Sequence, residues 1–196
     1  MNKYMGFYEL KYLGIPTVPW KQFEKTTILD EEHLWTIRVA VESGYDFNLP
    51  RFVGVNAQEA CDKGMQLLEK YAEKGMVVFY PYFIAEKSGV VDISSERVVV
   101  EGVKGDLWNL VTHGRKDVTI VSTNDLLEFQ GDDKLLLKYE LDEILEHAGY
   151  VKGKYRECLA SGKSVLLEWS YAYASDINHQ PIGEKYLVFY ELRTIE

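Results

Sequence analysis

Cysteine is nearly absent from this chain: Cys61 and Cys158 are the only two in 196 residues, far apart and in no CxxC pattern. That excludes a disulfide framework and a thiolate metal cluster. Both fall in helical-looking segments and read as buried free thiols of a cytoplasmic protein. Histidine is as sparse. His33, His113, His147 and His179 stand alone without HExxH-type spacing, so a zinc enzyme is not expected. No apolar run reaches the roughly 18 residues a membrane-spanning helix needs. The opening MNKYMGFYELKYLG is interrupted by Glu9 and Lys11 and has no signal-peptide core. Positive charge is also short: 22 Lys and Arg against 31 Asp and Glu leave −9 at pH 7. That is the wrong sign for general nucleic-acid binding, although a single nucleotide needs only two or three well-placed cations. GxxxxGK[ST], GxGxxG and GxSxG are missing too, and Gly102-Val-Lys-Gly105 is the nearest approach.

What is present suffices for a core. Hydrophobic residues make up 46% of the chain and charged residues 27%, which is globular composition, and the length suits one domain or two tightly joined lobes. No repeat or linker divides it. Lys3 to Leu13 reads as a helix stopped by Gly14, and Ile15 to Trp20, with Pro16 and Pro19, must run extended. Thr36–Val41 and Arg51–Val55 read as strands. Ala57–Lys74 is the clearest helix, with Asn56 as its cap, Glu59 in a capping-box position and Gly75 at its end. Met76–Ala85 reads as a buried strand, with Pro81 marking a bulge or a place where the ladder ends. Further strands are expected at Arg97–Val103, Val118–Ser122, Leu135–Tyr139, Ser164–Tyr173 and Lys185–Arg193. Helices are expected at Glu140–Ala148 and Tyr155–Ser161. Without a regular βαβ repeat, the pattern predicts an α+β, largely antiparallel architecture.

Chemistry is sought in charges stranded among apolar neighbours, where burial is costly without a partner. Arg38 lies inside TIRVAV and either faces solvent or pairs with an anion. Glu191 and Arg193 in LVFYELR share one face of a strand, because side chains alternate. If the last two strands pair with Glu191 opposite Leu166, Glu168 falls on that same face, diagonally from Glu191. A slip of one residue would separate the two carboxylates. Two carboxylates and a guanidinium on one face suit a Mg²⁺–polyphosphate site, since the hard metal takes oxygen ligands and arginine takes phosphate in a bidentate way. They equally suit an ordinary cross-strand salt bridge.

In order along the chain, these landmarks resemble the ATP-grasp, nucleotide-binding domain of the phosphoenolpyruvate synthase and pyruvate phosphate dikinase family, in a compact version. Lys3-Tyr-Met-Gly-Phe-Tyr-Glu9-Leu with Leu13-Gly-Ile-Pro-Thr-Val-Pro19 is similar to the family's opening. Ile37-Arg38-Val-Ala40, Asp46, Leu49-Pro50 and Val53-Gly54 resemble its Arg-Ser-Ser-Ala segment and the sequel. Tyr82-Phe83 and Ser88-Gly89-Val90 resemble the segment ending in Ser-Gly-Val, and Val100-Glu101-Gly102 with Val111 and Gly114 a degraded glycine stretch. Leu167-Glu168-Trp169 is similar to Asp-Ile-Glu-Trp, and Tyr190-Glu191-Leu192-Arg193-Thr194 to Val-Gln-Ala-Arg-Pro.

The resemblance implies an α+β, ATP-grasp-like fold whose two small lobes, approximately 1–75 and 76–196, carry mainly antiparallel sheets around a nucleotide cleft. It implies ATP and Mg²⁺ as cofactors. Lys3, Arg38 and Arg193 would contact phosphate as the catalytic cations, Glu168 and Glu191 would face the metal or the ribose, and the strand Tyr80–Phe83 would line the adenine, with Tyr80, Tyr82 and Phe83 in contact and an exposed edge to pair with the base. It implies a cytoplasmic phosphotransferase component that passes phosphate to an acceptor on another chain or to a small molecule, with no nucleic-acid or membrane partner. Leu166 stands where the family has an acid, and Glu191 where it has glutamine. The family's phosphohistidine domain and pyruvate-binding barrel do not follow Arg193, so this chain alone is not expected to make phosphoenolpyruvate. A nucleotide-binding regulatory module without turnover, or an acidic interaction domain that keeps only the fold, are the competing expectations.

Overall fold

The computed structural model describes residues 1–44, 49–108, 110, 114–124 and 126–195. Asp46, Val111 and His113, named above, lie outside the described residues. Helix α1 (Lys3–Leu13) starts where the Asn2 side chain accepts the Met5 N–H at 3.2 Å, and it ends at Gly14, whose φ of 73° is the left-handed stop a glycine supplies. The Asn2 amide also donates to the Val41 and Glu42 carbonyls at 3.1 and 2.8 Å. The amino-terminal turn is thereby tied to the end of the strand Trp35–Val41.

Strands β1 (Lys21–Gln22), β2 (Trp35–Val41), β3 (Arg51–Val55) and β4 (Gly75–Pro81) form a four-stranded antiparallel sheet in the order β1-β4-β2-β3. Every residue of β2 is buried. Helix α2 (Ala57–Tyr71) covers this sheet, with Asn56 accepting the Glu59 N–H at 2.9 Å as its spacing predicts. It stops at Ala72, and Gly75 instead opens β4, where a Cβ would lie 2.1 Å from the Ala40 carbonyl oxygen.

The second sheet has the order β10-β9-β5-β6-β7-β8, built from β5 (Phe83–Ile93), β6 (Val98–Lys104), β7 (Val118–Thr123), β8 (Leu126–Gly131), β9 (Ser164–Ser175) and β10 (Pro181–Ile195). All its pairings are antiparallel. Helices α3 (Lys138–Lys154) and α4 (Arg156–Ala160) cover one face, where Ile144, Val151, Leu167, Trp169 and Leu192 form the main core. No helix among the described residues is long and apolar enough to cross a membrane.

Three expectations are corrected. Met76–Ala85 is divided between two strands: of the two readings of Pro81 the ladder-ending one holds, since Pro81 ends β4 and the chain crosses to the other sheet at Tyr82. The change of sheet falls between β4 and β5. Leu135–Tyr139 is not a strand either, because Leu135 and Leu136 turn into the core and α3 begins at Lys138. The reason is Glu140, whose carboxylate accepts the Leu137 N–H at 2.8 Å while lying 2.6 Å from Lys87 and 2.7 Å from Lys185. An acid in the first turn captures a helix start, and here it also bolts α3 to β5 and β10. Cys61 and Cys158 are free but only half-buried. Strand β8, unanticipated, is exposed at all six residues and so shows no alternation to read.

The register of β10 on β9 is decided by a bulge. Phe189 pairs with Trp169 but Glu191 pairs with Glu168, so Tyr190 is an extra residue. Without it Glu191 would oppose Leu167 and point into the main core. With it Glu191 lies directly opposite Glu168, not diagonally from it, and Arg193 opposes Leu166.

Helix α1 lies against this same strand. A Cβ on Gly6 would sit 1.9 Å from the Leu192 carbonyl oxygen, a backbone atom that cannot rotate away. Gly6→Ala is therefore expected to destabilise the fold by about 1–3 kcal/mol, the usual cost of overpacking. Urea unfolding measures it, and an unchanged midpoint would show that α1 does not seat on β10.

Candidate functional site

A cleft of about 780 Å³ opens between the two sheets. It is lined by all eight residues singled out in the sequence: Lys3, Arg38, Tyr80, Tyr82, Phe83, Glu168, Glu191 and Arg193. They arrive from α1, β2, β4, the crossing at Tyr82, β5, β9 and β10, so only the folded chain assembles them.

Glu191 is the centre, with its side chain 3% exposed. Its Oε1 lies 3.0 Å from Lys3 Nζ and 3.8 Å from Arg193 Nε, and its Oε2 accepts from an Arg38 Nη at 2.9 Å. Burial alone would raise its pKa, but Arg38, Lys3 and Arg193, with the Lys3 hydrogen bond, outweigh that and hold it below the ordinary carboxylate value. Glu168 differs. Burial, with Glu191 directly opposite, lifts its pKa to about 7, and Lys3, Arg38 and Arg193 offset this only in part. For Arg38, burial works against the charge, and Tyr80, Glu191 and Glu168 more than reverse it, so the guanidinium stays cationic. It also lies 5.4 Å from the Phe7 ring centroid. The solvent-facing reading of Arg38 is thus replaced by the anion-paired one.

The aromatic wall includes Phe83 and Tyr190, with centroids 5.7 Å apart. Burial, then the nearby Glu168, raise the Tyr190 hydroxyl well above its ordinary value. The edge expected along Tyr80–Phe83 is partly spent: Pro81 has no N–H, Tyr82 N–H donates to the Leu34 carbonyl at 2.8 Å, and Phe83 pairs with Ala174 in β9. Side-chain faces remain for a planar group. Tyr82 and Phe83 also wall a second cavity of about 550 Å³, lined further by Tyr139, Glu143 and Lys185.

Thr36, Arg51, Asp106, Trp108 and Ser170 line the cleft without having been singled out. Arg51 was within reach of sequence reasoning as the cross-strand neighbour of Arg38; nothing in the spacing marks Asp106 or Trp108. The lining gathers Lys3, Arg38, Arg51 and Arg193 against Asp106, Glu168 and Glu191, a positive balance on a chain of charge −9. Such a cleft favours anions.

Among the described residues no three His, Cys, Asp or Glu side chains gather to hold a metal. Glu168 and Glu191 are a facing pair of hard oxygen donors. That donor set fits Mg²⁺, which commonly takes one or two carboxylates and leaves its other positions to phosphate and water.

The raised pKa of Glu168 has a stability consequence. Between its unfolded value near 4.5 and its folded value of about 7, the folded state binds more protons, so stability falls as pH rises through that window. Glu168→Gln is expected to flatten this fall and to melt higher than the parent at pH 8. Melting temperatures from pH 5 to 8 measure it, and parallel curves for the two proteins would contradict the assignment.

No protein-family model matches the sequence, and no curated protein does. Among solved structures, the chain is similar to N5-carboxyaminoimidazole synthetase from Staphylococcus aureus, with TM-score 0.50 and 14% identity over 97% of this chain and 43% of that one. The same enzyme complexed with ADP gives TM-score 0.45 and 14% identity over 95% of this chain and 41% of that one. The macrocyclase MdnC bound with precursor peptide MdnA, from Microcystis aeruginosa MRC, gives 0.43 and 12% over 97% and 51%. The chain thus spans about half or less of the length of these structures. At such identities the likeness concerns the fold, and it rests on the first of them. That fold is α+β and ATP-grasp-like, two mainly antiparallel sheets facing a common cleft.

Proposed function

We propose that the cleft binds Mg·ATP and that the protein is an ATP-dependent phosphotransferase component, akin to the nucleotide-binding domain of phosphoenolpyruvate synthase and pyruvate phosphate dikinase. The observation that carries this is the gathering of Lys3, Arg38 and Arg193 around one buried carboxylate in a cleft with an aromatic wall. A polyphosphate entering the cleft takes over from Glu191 as the partner of these cations. Tyr80, Tyr82 and Phe83 then face the base. Fixed cations aimed at the charge that spreads over a migrating phosphoryl group are the main contribution a protein makes to its transfer. Glu168 and Glu191 would hold Mg²⁺, which when bound neutralises charge between adjacent phosphates. The acceptor is another chain or a small molecule.

Leu166 supports a second reading. It lines the cleft opposite Arg193, where the family it resembles has an acid, so the cleft would bind nucleotide without turning it over.

Calorimetric titration with ATP and Mg²⁺, followed by an assay for released labelled phosphate, tests both. Binding with release supports the first reading, binding alone the second, and no binding refutes both. Lys3→Ala is expected to weaken Mg·ATP binding on the order of tenfold, the worth of one charged phosphate contact. Glu168→Gln should weaken Mg²⁺-dependent binding more than metal-free binding. Equal loss in both conditions would remove Glu168 from the metal site.

A further inference from the structure

We infer that Arg51, at the mouth of the cleft, is a fourth phosphate-binding cation, stored against Trp108 until a polyphosphate draws it in. This rests on reading the cleft as a nucleotide site and adds a residue that reading did not use.

Arg51 lies directly opposite Arg38 across the β2–β3 pair, and both line the cleft. Directly opposed residues share a face, and like charges there repel. The charge of Arg38 is answered by Glu191 at 2.9 Å. Arg51 has no ion pair among the described residues; its guanidinium lies over the Trp108 ring, 4.9 Å from the centroid. The two arginines thus face one cleft with an anion beside only one of them.

The local backbone fixes where Arg51 can reach. Trp35 pairs with Val55 and Ile37 with Phe52, so Val53 and Gly54 bulge opposite Thr36. Gly54 has φ 68°, and a Cβ there would meet the His179 ring at 3.0 Å and the Tyr82 ring at 3.3 Å. One end of β3 is therefore clamped, and the other presents Arg51 beside Trp108. An exposed cation–π contact is a weak hold, whereas a guanidinium on a phosphate makes paired, charge-assisted hydrogen bonds. A phosphate chain lying along Lys3, Arg38 and Arg193 draws Arg51 off the ring.

Trp108 provides the readout, since it is 48% exposed while Trp20, Trp35 and Trp169 are 8%, 9% and 0% exposed. Sodium tripolyphosphate, which has phosphates but no base or sugar, is titrated into the protein with emission and heat recorded together. The parent is expected to bind with a saturable change in indole emission, and Trp108→Phe to bind without that change. Arg51→Gln should lose the emission change and bind on the order of tenfold more weakly, with Arg51→Lys recovering part of the affinity. Tripolyphosphate binding by Arg51→Gln as tight as by the parent would overturn this inference alone. Failure of the parent to bind either tripolyphosphate or Mg·ATP would overturn the nucleotide reading and this one with it.

Discussion

One buried carboxylate ties the molecule together. Glu191 on β10 reaches Lys3 at the start of α1, Arg38 on β2 in the other sheet, and Arg193 two residues along its own strand. The contacts with Lys3 and Arg38 cross between structural units, so helix α1 and the two sheets are tied together at the cleft floor. A buried ion pair adds little net stability, but loss of one partner is costly because it strands a charge. The arrangement therefore specifies geometry more than it strengthens the fold.

On the proposed reading the same cluster is poised for exchange. Glu168 adds a second carboxylate that burial resists ionising, so the floor leans positive near neutral pH. An incoming anion finds cations already desolvated and oriented, which is preorganisation in its simplest electrostatic form. The facing Arg38 and Arg51 and the raised pKa of Glu168 are features a ligand would relieve, kept at some cost in stability.

Much of this was legible in the sequence, and the failures have physical causes. α1, β2 and α2 follow from Gly14, from an apolar run and from the Asn56 cap, all local signals. Arg38, Glu168, Glu191 and Arg193 stood out because a charge in an apolar strand is expensive alone, whereas Lys3 was reached only through the family resemblance. The register of Glu191 on Glu168 was not readable, since it hangs on one bulged residue, Tyr190, and alternation cannot show a bulge. Leu135–Tyr139 misled because its apolar pattern suits a strand, while Glu140, held by Lys87 and Lys185 from distant strands, makes it a helix start. Arg51 and Trp108 meet only in the fold.

The most direct measurement is a crystal structure with Mg²⁺ and a non-hydrolysable ATP analogue. The account predicts phosphate oxygens within hydrogen-bond reach of Lys3, Arg38 and Arg193, with Glu191 no longer paired to Lys3 and Arg38. An analogue lodged in the cavity beside Tyr139 and Lys185, with the Glu191 ion pairs intact, would contradict it.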